Sequence, residues 1–202
     1  MAYATIRRGA SQDGYFAAVP VEGSSFFISP GQLAHFSLHD GQELTEAEFN
    51  TLRQHLVGMR CRQKAMDLLA MREHGRKELE LKLRRKEFPS DTIAEQLDRL
   101  EEENLLSDQR FAFQFIVSRQ RKNPEGRHVL VLRLMQRGID RTIAESVAGQ
   151  WFSDEEAAHD AIHRAAARSL RKKQVDHAQL RAELYKKGFT AAEISNFMDE
   201  LN

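Results

Sequence analysis

One pattern recurs three times along this chain, at intervals of 51 and 50 residues. It reads Leu-x-x-x-Leu-x-x-basic-x-(Phe or Ile), and its copies contain Leu79, Leu83, Lys86 and Phe88; Leu130, Leu134, Arg137 and Ile139; and Leu180, Leu184, Lys187 and Phe189. Self-similarity at a fixed interval is typical of architectures that stack one structural unit in tandem. This repeat constrains the fold more than any other feature of the sequence.

Each copy has the features of a helix that ends in a tight turn. Leucines four residues apart lie on one face of a helix and form its buried stripe. Gly138 and Gly188 follow the basic residue, where a helix end favours a left-handed backbone, and the next apolar residue closes the cap. The first copy has Glu87 at this point, which should cost roughly 1 kcal/mol if the residue is left-handed.

Two further helical segments flank each copy. Apolar-periodic stretches precede the copies. The helix that follows each copy is predicted to begin at Ser90 or Asp91, at Asp140, and at the capping box Thr190-x-x-Glu193. The three predicted three-helix repeats, named first, second and third below, span residues 59–105, 106–152 and 153–202. A unit of ~50 residues buries little surface by itself, so we expect the three to stack into an elongated solenoid.

Residues 1–58 have a different pattern. The stretches YATIRR, YFAAVPV and SFFIS are short, aromatic and β-branched, and turn residues separate them, which predicts a small strand meander or hairpin. Thr45-x-x-Glu48 then forms a capping box for a helix that should end near Val57. The predicted fold class is therefore mostly α, with three tandem three-helix repeats after a small N-terminal β-rich module.

Composition limits the compartment and the kinds of partner. No apolar run is long enough to cross a membrane and no signal segment stands at the start, so we expect a cytoplasmic protein. The one cysteine, Cys61, cannot form an internal disulfide, which fits a reducing compartment. With 30 basic and 30 acidic residues, the chain is not a purely electrostatic nucleic-acid coat, although a local basic face is compatible with this balance.

Sequence motifs for catalysis are lacking. Neither GxxxxGK nor GxGxxG occurs. Cys61 stands beside Arg60 and Arg62, which would lower the pKa of its thiol, but nothing in the sequence positions a base. His159 and His163 are four residues apart on one helix, yet the sequence places no acidic or thiol partner beside them, so we predict structural or solvent-facing roles. We therefore expect a protein that is not an enzyme and that binds neither a metal nor a cofactor.

Aromatic residues of the repeats are interpreted as packing residues. Phe111 and Phe115 lie on one helical face and Phe113 on another, which favours a core helix over a platform for nucleobases. Trp151, at the end of the second repeat, is expected to pack between repeats.

The second repeat is the one clearly basic segment, with eight basic and four acidic residues. The junction between the first and middle helices of this repeat, together with the middle helix, contains one acidic residue, Glu125. The same stretch contains six basic residues, namely Arg119, Arg121, Lys122, Arg127, Arg133 and Arg137. Cations without an internal partner suggest an external anion such as phosphate. The junctions of the other repeats supply a weaker set, Arg76, Lys77, Arg171, Lys172 and Lys173. The alternative is that these basic residues form a solvated face without a partner. The two interpretations are equally supported in the second repeat, and the solvated face is favoured in the other two.

The repeated motifs resemble those of the RecX family of recombination regulators over about residues 60–200. The resemblance rests on HGRKELELKLRRKEF, LRAELYKKGF and above all the stretch from Asn104 to Ala112, NLLSDQRFA. Arg119 and Gly138 also stand where the family pattern has them. Asn104 replaces an expected glycine, a change that the left-handed conformation tolerates. Residues 1–55 form an extension that shorter members lack.

The resemblance implies a non-enzymatic protein that binds the RecA filament on single-stranded DNA. Family members typically dampen strand exchange, ATP hydrolysis and the SOS co-protease activity of RecA. The basic residues above would then contact filament or phosphate, and a monomer is expected because no heptad seam occurs. The alternatives are a helical-repeat protein that binds DNA or RNA without RecA, and a scaffold for another protein.

Overall fold

The computed structural model describes residues 2–9, 16–172 and 176–201 of the 202-residue chain. The chain divides into two compact units, an N-terminal unit (Met1–Gln63) and a C-terminal unit (Lys64–Asn202). Among the described residues, no helix is long and apolar enough to span a lipid bilayer.

The N-terminal unit contains the predicted strands in one antiparallel sheet. The strands are β1 (Ala4–Arg8), β2 (Phe16–Pro20), β3 (Phe26–Ile28) and β4 (Glu43–Leu44), in the order β3-β2-β1-β4. Ile6 of β1 lies opposite Ala18 of β2, and both are fully buried. The two-residue strand β4 and the short helix α1 (Pro30–His35) were not predicted.

One face of this sheet packs against the start of helix α2 (Glu46–Met71). Their shared core consists of Ala4, Ile6, Ala18, Ile28, Leu44, Phe49, Leu52 and Leu56. The predicted capping box is present, since the Thr45 N–H donates to Glu48 Oε2 at 2.7 Å and the Glu48 N–H donates to Thr45 Oγ1 at 3.3 Å.

The end predicted for this helix near Val57 is wrong, because α2 continues to Met71. Gly58 lies inside the helix, where glycine costs about 1 kcal/mol relative to alanine. The next turns bury Cys61 and Ala65 completely, and burial of these side chains offsets the cost of the glycine.

The C-terminal unit consists of helices in its described part. They are the last turns of α2, then α3 (Arg76–Arg84), α4 (Ser90–Glu102), α5 (Asp108–Lys122), α6 (Arg127–Met135), α7 (Arg141–Phe152), α8 (Glu155–Lys172), α9 (His177–Lys186) and α10 (Ala191–Glu200). Three successive groups of three helices confirm the predicted repeat architecture, with α3, α6 and α9 as the middle helices. The division at residues 58, 105 and 152 stays a prediction.

Two of the three predicted caps are present. The cap predicted at Ser90 or Asp91 is wrong, because the N-cap of α4 is Pro89, which makes no side-chain capping hydrogen bond. The Asp140 carboxylate accepts a hydrogen bond from the Thr142 N–H at 2.7 Å. Thr190 and Glu193 form a reciprocal capping box at α10. At the other end of the middle helices, Gly138 and Gly188 have φ of 84° and 89°. Glu87 has φ of 63°, so the expected left-handed residue is present in all three repeats.

These caps also bring neighbouring repeats into close contact. The Gly126 N–H, at the start of α6, donates to the Lys187 carbonyl at 2.8 Å. A Cβ atom on Gly188 would lie 2.8 Å from the backbone nitrogen of Val129, and one on Gly138 would lie 2.6 Å from the Lys77 side chain. Glycine is therefore required here for close approach as well as for its φ, whereas Glu87 is exposed.

Aromatic residues of the second repeat are placed as predicted. Phe111 is buried, Phe115 packs against the same core, and Phe113 is exposed. Trp151 packs against the core of the second repeat and against that of the third. It therefore joins the two repeats.

Candidate functional site

The candidate site is built on the turn between α5 and α6. Helix α5 ends at Lys122, and Asn123 and Pro124 lead into Glu125, whose side chain is only 4% exposed. Gln120 closes the turn from the last turn of α5. Its amide nitrogen donates to the Glu125 carbonyl at 2.7 Å, and its amide oxygen accepts from the Glu125 N–H at 3.1 Å. Both ends of the Glu125 backbone are thereby fixed.

Two arginines hold the buried Glu125 carboxylate. Arg119 donates to it through Nε at 3.0 Å and Nη2 at 2.9 Å, and Arg133 through Nε at 2.7 Å and Nη2 at 2.8 Å. Asn123 adds a fifth hydrogen bond at 3.2 Å. Bidentate arginine–carboxylate pairs of this kind have a fixed geometry, so the two guanidinium groups are held in place.

The same contacts decide the charge of the cluster. Burial opposes ionisation of Glu125, but the hydrogen bonds and charges of Arg119 and Arg133 outweigh it, and the pKa of Glu125 lies below its ordinary value. The hydrogen bond to Glu125 likewise raises the pKa of Arg119. Glu125 and Arg119 are therefore charged at neutral pH.

A pocket of about 300 Å³ opens beside this cluster, lined by Phe115, Arg119, Arg133, Gln136 and Arg137. The Arg137 guanidinium carbon lies 4.7 Å from the centre of the Phe115 ring, a cation–π contact. Three guanidinium groups thus surround one cavity, and one buried carboxylate only partly balances them. Such a pocket suits an anion with several oxygen atoms, such as a phosphate or a carboxylate.

The structure corrects the expectation that the second-repeat cations lack internal partners. Arg119 and Arg133 are both paired with Glu125. Arg127 lies against α7, where its Nη2 donates to the Glu145 carbonyl at 3.3 Å. Arg121 and Lys122 are exposed, and neither has an ion-pair partner within the described part of the chain. The pocket therefore contains three of the six predicted residues, and only Arg137 faces it without a carboxylate partner among the described residues.

Residues of the weaker set are mostly paired or undescribed. Arg76 forms ion pairs with Asp98 at 2.6 Å and with Glu101, and Lys77 pairs with Glu80 at 2.9 Å, so these two are not the unpartnered cations that the sequence suggested. Arg171 is exposed, with no partner among the residues described. The side chain of Lys172 and all of Lys173 lie outside the described residues.

Two inferences about reactive groups were wrong. Cys61 is completely buried, and burial raises the pKa of its thiol to about 11, so its arginine neighbours do not lower it. His159 and His163 do have an acidic neighbour, because Glu200 of α10 approaches both. The sequence could not place Glu200 there, because it follows the pair by about 40 residues.

Comparison with known families identifies two of the repeats. Residues 61–100 match the model for the first three-helix domain of RecX, and residues 107–147 match that for the second. A regulatory protein RecX from Chlorobium phaeobacteroides is 34% identical over 140 residues, which cover 68% of this chain and 90% of that protein. The regulatory protein RecX of Bacillus subtilis is 29% identical over 182 residues, which cover 88% of this chain and 68% of that protein.

Solved structures share the fold. A crystal structure of a regulatory protein RecX superimposes with a TM-score of 0.74 over 98% of this chain and 100% of its own, at 17% identity. The crystal structure of RecX from Lactobacillus salivarius superimposes with a TM-score of 0.62 over 72% of this chain and 96% of its own, at 23% identity. At these identities the structural likeness concerns the fold alone.

Proposed function

This chain belongs to the RecX family of regulatory proteins, and we propose that it regulates the RecA recombinase by binding the RecA filament on single-stranded DNA. It dampens ATP hydrolysis, strand exchange and SOS co-protease activity by occupying the filament, without catalysing a reaction itself. The arginine pocket of the second repeat is the observation that carries this proposal.

The pocket is suited to an anionic surface because its donors are held in place before binding. Each arginine has five N–H donors, and the pair with Glu125 uses two from Arg119 and two from Arg133. The remaining donors stay available to a DNA phosphate or to an acidic side chain of RecA. Little conformational entropy is lost when such fixed groups bind.

The tandem repeats supply the second part of the mechanism. A filament presents identical subunits at regular intervals, and a ligand built from repeats can contact several of them. Each additional contact then forms intramolecularly, at a high effective concentration. Arg121 and Lys122, exposed at the end of α5, extend the basic surface of the second repeat.

ATP hydrolysis by RecA on single-stranded DNA tests the proposal. We expect the wild-type protein to inhibit hydrolysis when it is substoichiometric to RecA, and Arg137→Glu to need at least about tenfold more protein for half inhibition, a loss of about 1.4 kcal/mol of binding. Arg137 is chosen because it has no carboxylate partner among the described residues. Replacement of Arg119 or Arg133 by glutamate would instead remove a partner of the buried Glu125 carboxylate and place a second negative charge beside it.

Arg141→Glu is the matched control. Arg141 is an exposed arginine of α7 that pairs with Glu145, so the variant makes the same change in net charge away from the pocket. Equal inhibition by Arg137→Glu and wild type would remove the pocket from the mechanism. Undiminished hydrolysis with excess folded wild-type protein would overturn the regulation of RecA itself.

A second candidate function is binding of DNA without RecA, favoured by the exposed pair Arg121 and Lys122 at the end of α5. Fluorescence anisotropy with labelled single-stranded DNA separates the two candidates. Nanomolar affinity for bare DNA, falling steeply with salt, supports direct DNA binding. Weak binding to bare DNA with tight binding to RecA-coated DNA supports the filament. Tight binding to neither would leave a scaffold for another protein.

We further propose that the protein acts as a monomer in the cytoplasm, where the RecA filament forms. Sedimentation equilibrium of the full chain, of mass 23.2 kDa, tests the first point. A mass twice as large at micromolar concentration would contradict it.

A further inference from the structure

Helices α8 and α10 of the third repeat pack side by side in one core. Ala161, Ile162 and Ala165 of α8 and Ile194, Phe197 and Met198 of α10 are all buried there. At the solvent edge of this contact, His159 and His163 lie one turn apart on α8, and Glu200 is the last residue of α10. The three side chains therefore come from two helices whose relative position is fixed by a packed core.

The potential ligand atoms of these side chains converge. Glu200 Oε2 lies 3.0 Å from His159 Nε2 and 2.9 Å from His163 Nε2, and the two nitrogen atoms are 3.1 Å apart. Around a tetrahedral zinc ion, ligand atoms at ordinary bond lengths are about 3.3 Å apart. Movements of a few tenths of an ångström would bring the three atoms to that separation.

Hydrogen bonding alone does not fully account for this arrangement. Two imidazole N–H groups that both donate to Glu200 would also face each other at 3.1 Å, where two donors repel. A divalent cation removes this conflict, because it accepts a lone pair from each nitrogen and from the carboxylate. The Phe197 and His163 ring centres lie 4.8 Å apart with the rings nearly perpendicular, and this contact restricts the orientation of the His163 imidazole.

We propose that His159, His163 and Glu200 bind a divalent cation of the zinc type and that this ion fastens α10 to α8. Two histidines and one carboxylate suit Zn²⁺, Co²⁺, Ni²⁺ or Cu²⁺, whereas Mg²⁺ and Ca²⁺ prefer oxygen ligands. Three protein ligands leave at least one position for water. The ligands are about half exposed, so the ion exchanges with solvent and acts as a clip on a fold that forms without it.

Isothermal titration calorimetry with ZnCl₂ tests the site, using the full chain without a histidine tag after chelator treatment. We expect one site in the wild type and at least about tenfold weaker binding in His163→Ala and in Glu200→Gln. Glu200→Gln keeps the size of the side chain and does not disturb the Phe197 contact. His177→Ala, at an exposed histidine that begins α9, is the matched control and should bind as the wild type does.

Thermal unfolding and Co²⁺ spectra give independent readouts. Zinc at hundredfold excess over its dissociation constant should raise the Tm of wild type by about 5 to 10 °C, and leave that of Glu200→Gln nearly unchanged. Co²⁺ should give visible absorption bands that Glu200→Gln loses. Absence of zinc binding in the wild type, or equal affinity in all four proteins, would overturn the proposal. None of these measurements involves RecA, so they are independent of the proposed function.

Discussion

Glu125 is the residue that holds two basic side chains of the second repeat, Arg119 and Arg133. The first repeat forms the corresponding turn 51 residues earlier, with Leu68, His74 and Lys82 where the second has Arg119, Glu125 and Arg133. The turn therefore does not need a carboxylate held by two arginines in order to fold. This difference between the repeats supports the proposed binding role of the Glu125 cluster, because buried ion pairs are weak evidence for a role in stability.

Replacement of Glu125 by glutamine should destabilise the protein by about 2 to 3 kcal/mol, because two partly buried arginines lose their carboxylate. Urea unfolding measures the change. Glu145→Gln removes the carboxylate of an exposed ion pair with Arg141, and should change the free energy of unfolding by less than about 0.5 kcal/mol. Equal effects of the two substitutions would show that the Glu125 cluster adds nothing specific to stability.

The lowered pKa of Glu125 also predicts a dependence of stability on pH. Folding favours its ionised form, so the stabilisation is complete above the ordinary pKa of 4.5 and is lost as the pH falls through the lower, folded pKa. The difference in unfolding free energy between wild type and Glu125→Gln should be constant from about pH 7 to pH 5.5 and shrink towards pH 3. Urea titrations at several pH values test this, and a difference that grows in acid would contradict it.

At the residue level, the sequence identified all three arginines of the pocket but misjudged two of them. Arg119 and Arg133 looked unpartnered because a single glutamate stood against six cations. The available signal was that Glu125 follows an Asn-Pro turn between two helices, where a buried polar residue can close the corner. Its burial depends on how α5 meets α6, and charge counting along the chain cannot supply that geometry.

At the scale of single elements, the C-terminal ends of the three middle helices were the most predictable feature. Periodicity located α3, α6 and α9, and the cap pattern located their left-handed residues, including Glu87. Sequence alone could not show that Gly138 and Gly188 also contact a neighbouring repeat. The continuation of α2 through Gly58 was missed because a glycine resembles a helix stop until tertiary burial is known.

Gly188→Ala should therefore be strongly destabilising. A Cβ atom there adds left-handed strain and lies 2.6 Å from Val129 Cγ2 and 2.8 Å from its backbone nitrogen, so we expect a loss of about 3 kcal/mol. Glu87→Gly is the opposite test, because it removes the backbone strain of an exposed non-glycine residue with a left-handed conformation. It should raise the free energy of unfolding by up to about 1 kcal/mol. Thermal and urea unfolding measure both. A mild effect of Gly188→Ala would mean that the two repeats separate easily at this contact.

At the scale of the whole molecule, the 50-residue repeat predicted the architecture of the C-terminal unit. It did not predict the contacts between repeats. The hydrogen bond from the Gly126 N–H to the Lys187 carbonyl joins the second repeat to the third, between residues far apart in sequence. Trp151 packs against the cores of two repeats. These contacts make the second and third repeats energetically dependent on each other.

The second and third repeats should consequently unfold as one cooperative unit. Trp151 is the only tryptophan of the chain, and its fluorescence reports on both cores. Ile116→Val in the second repeat and Ile194→Val in the third remove one methylene each from buried sites, at a cost of about 1 kcal/mol. Because the repeats share an interface, both substitutions should lower the midpoint of a single fluorescence transition in urea by similar amounts. Two transitions, each moved by only one of the substitutions, would mean that Trp151 and the Gly126–Lys187 hydrogen bond do not couple the repeats.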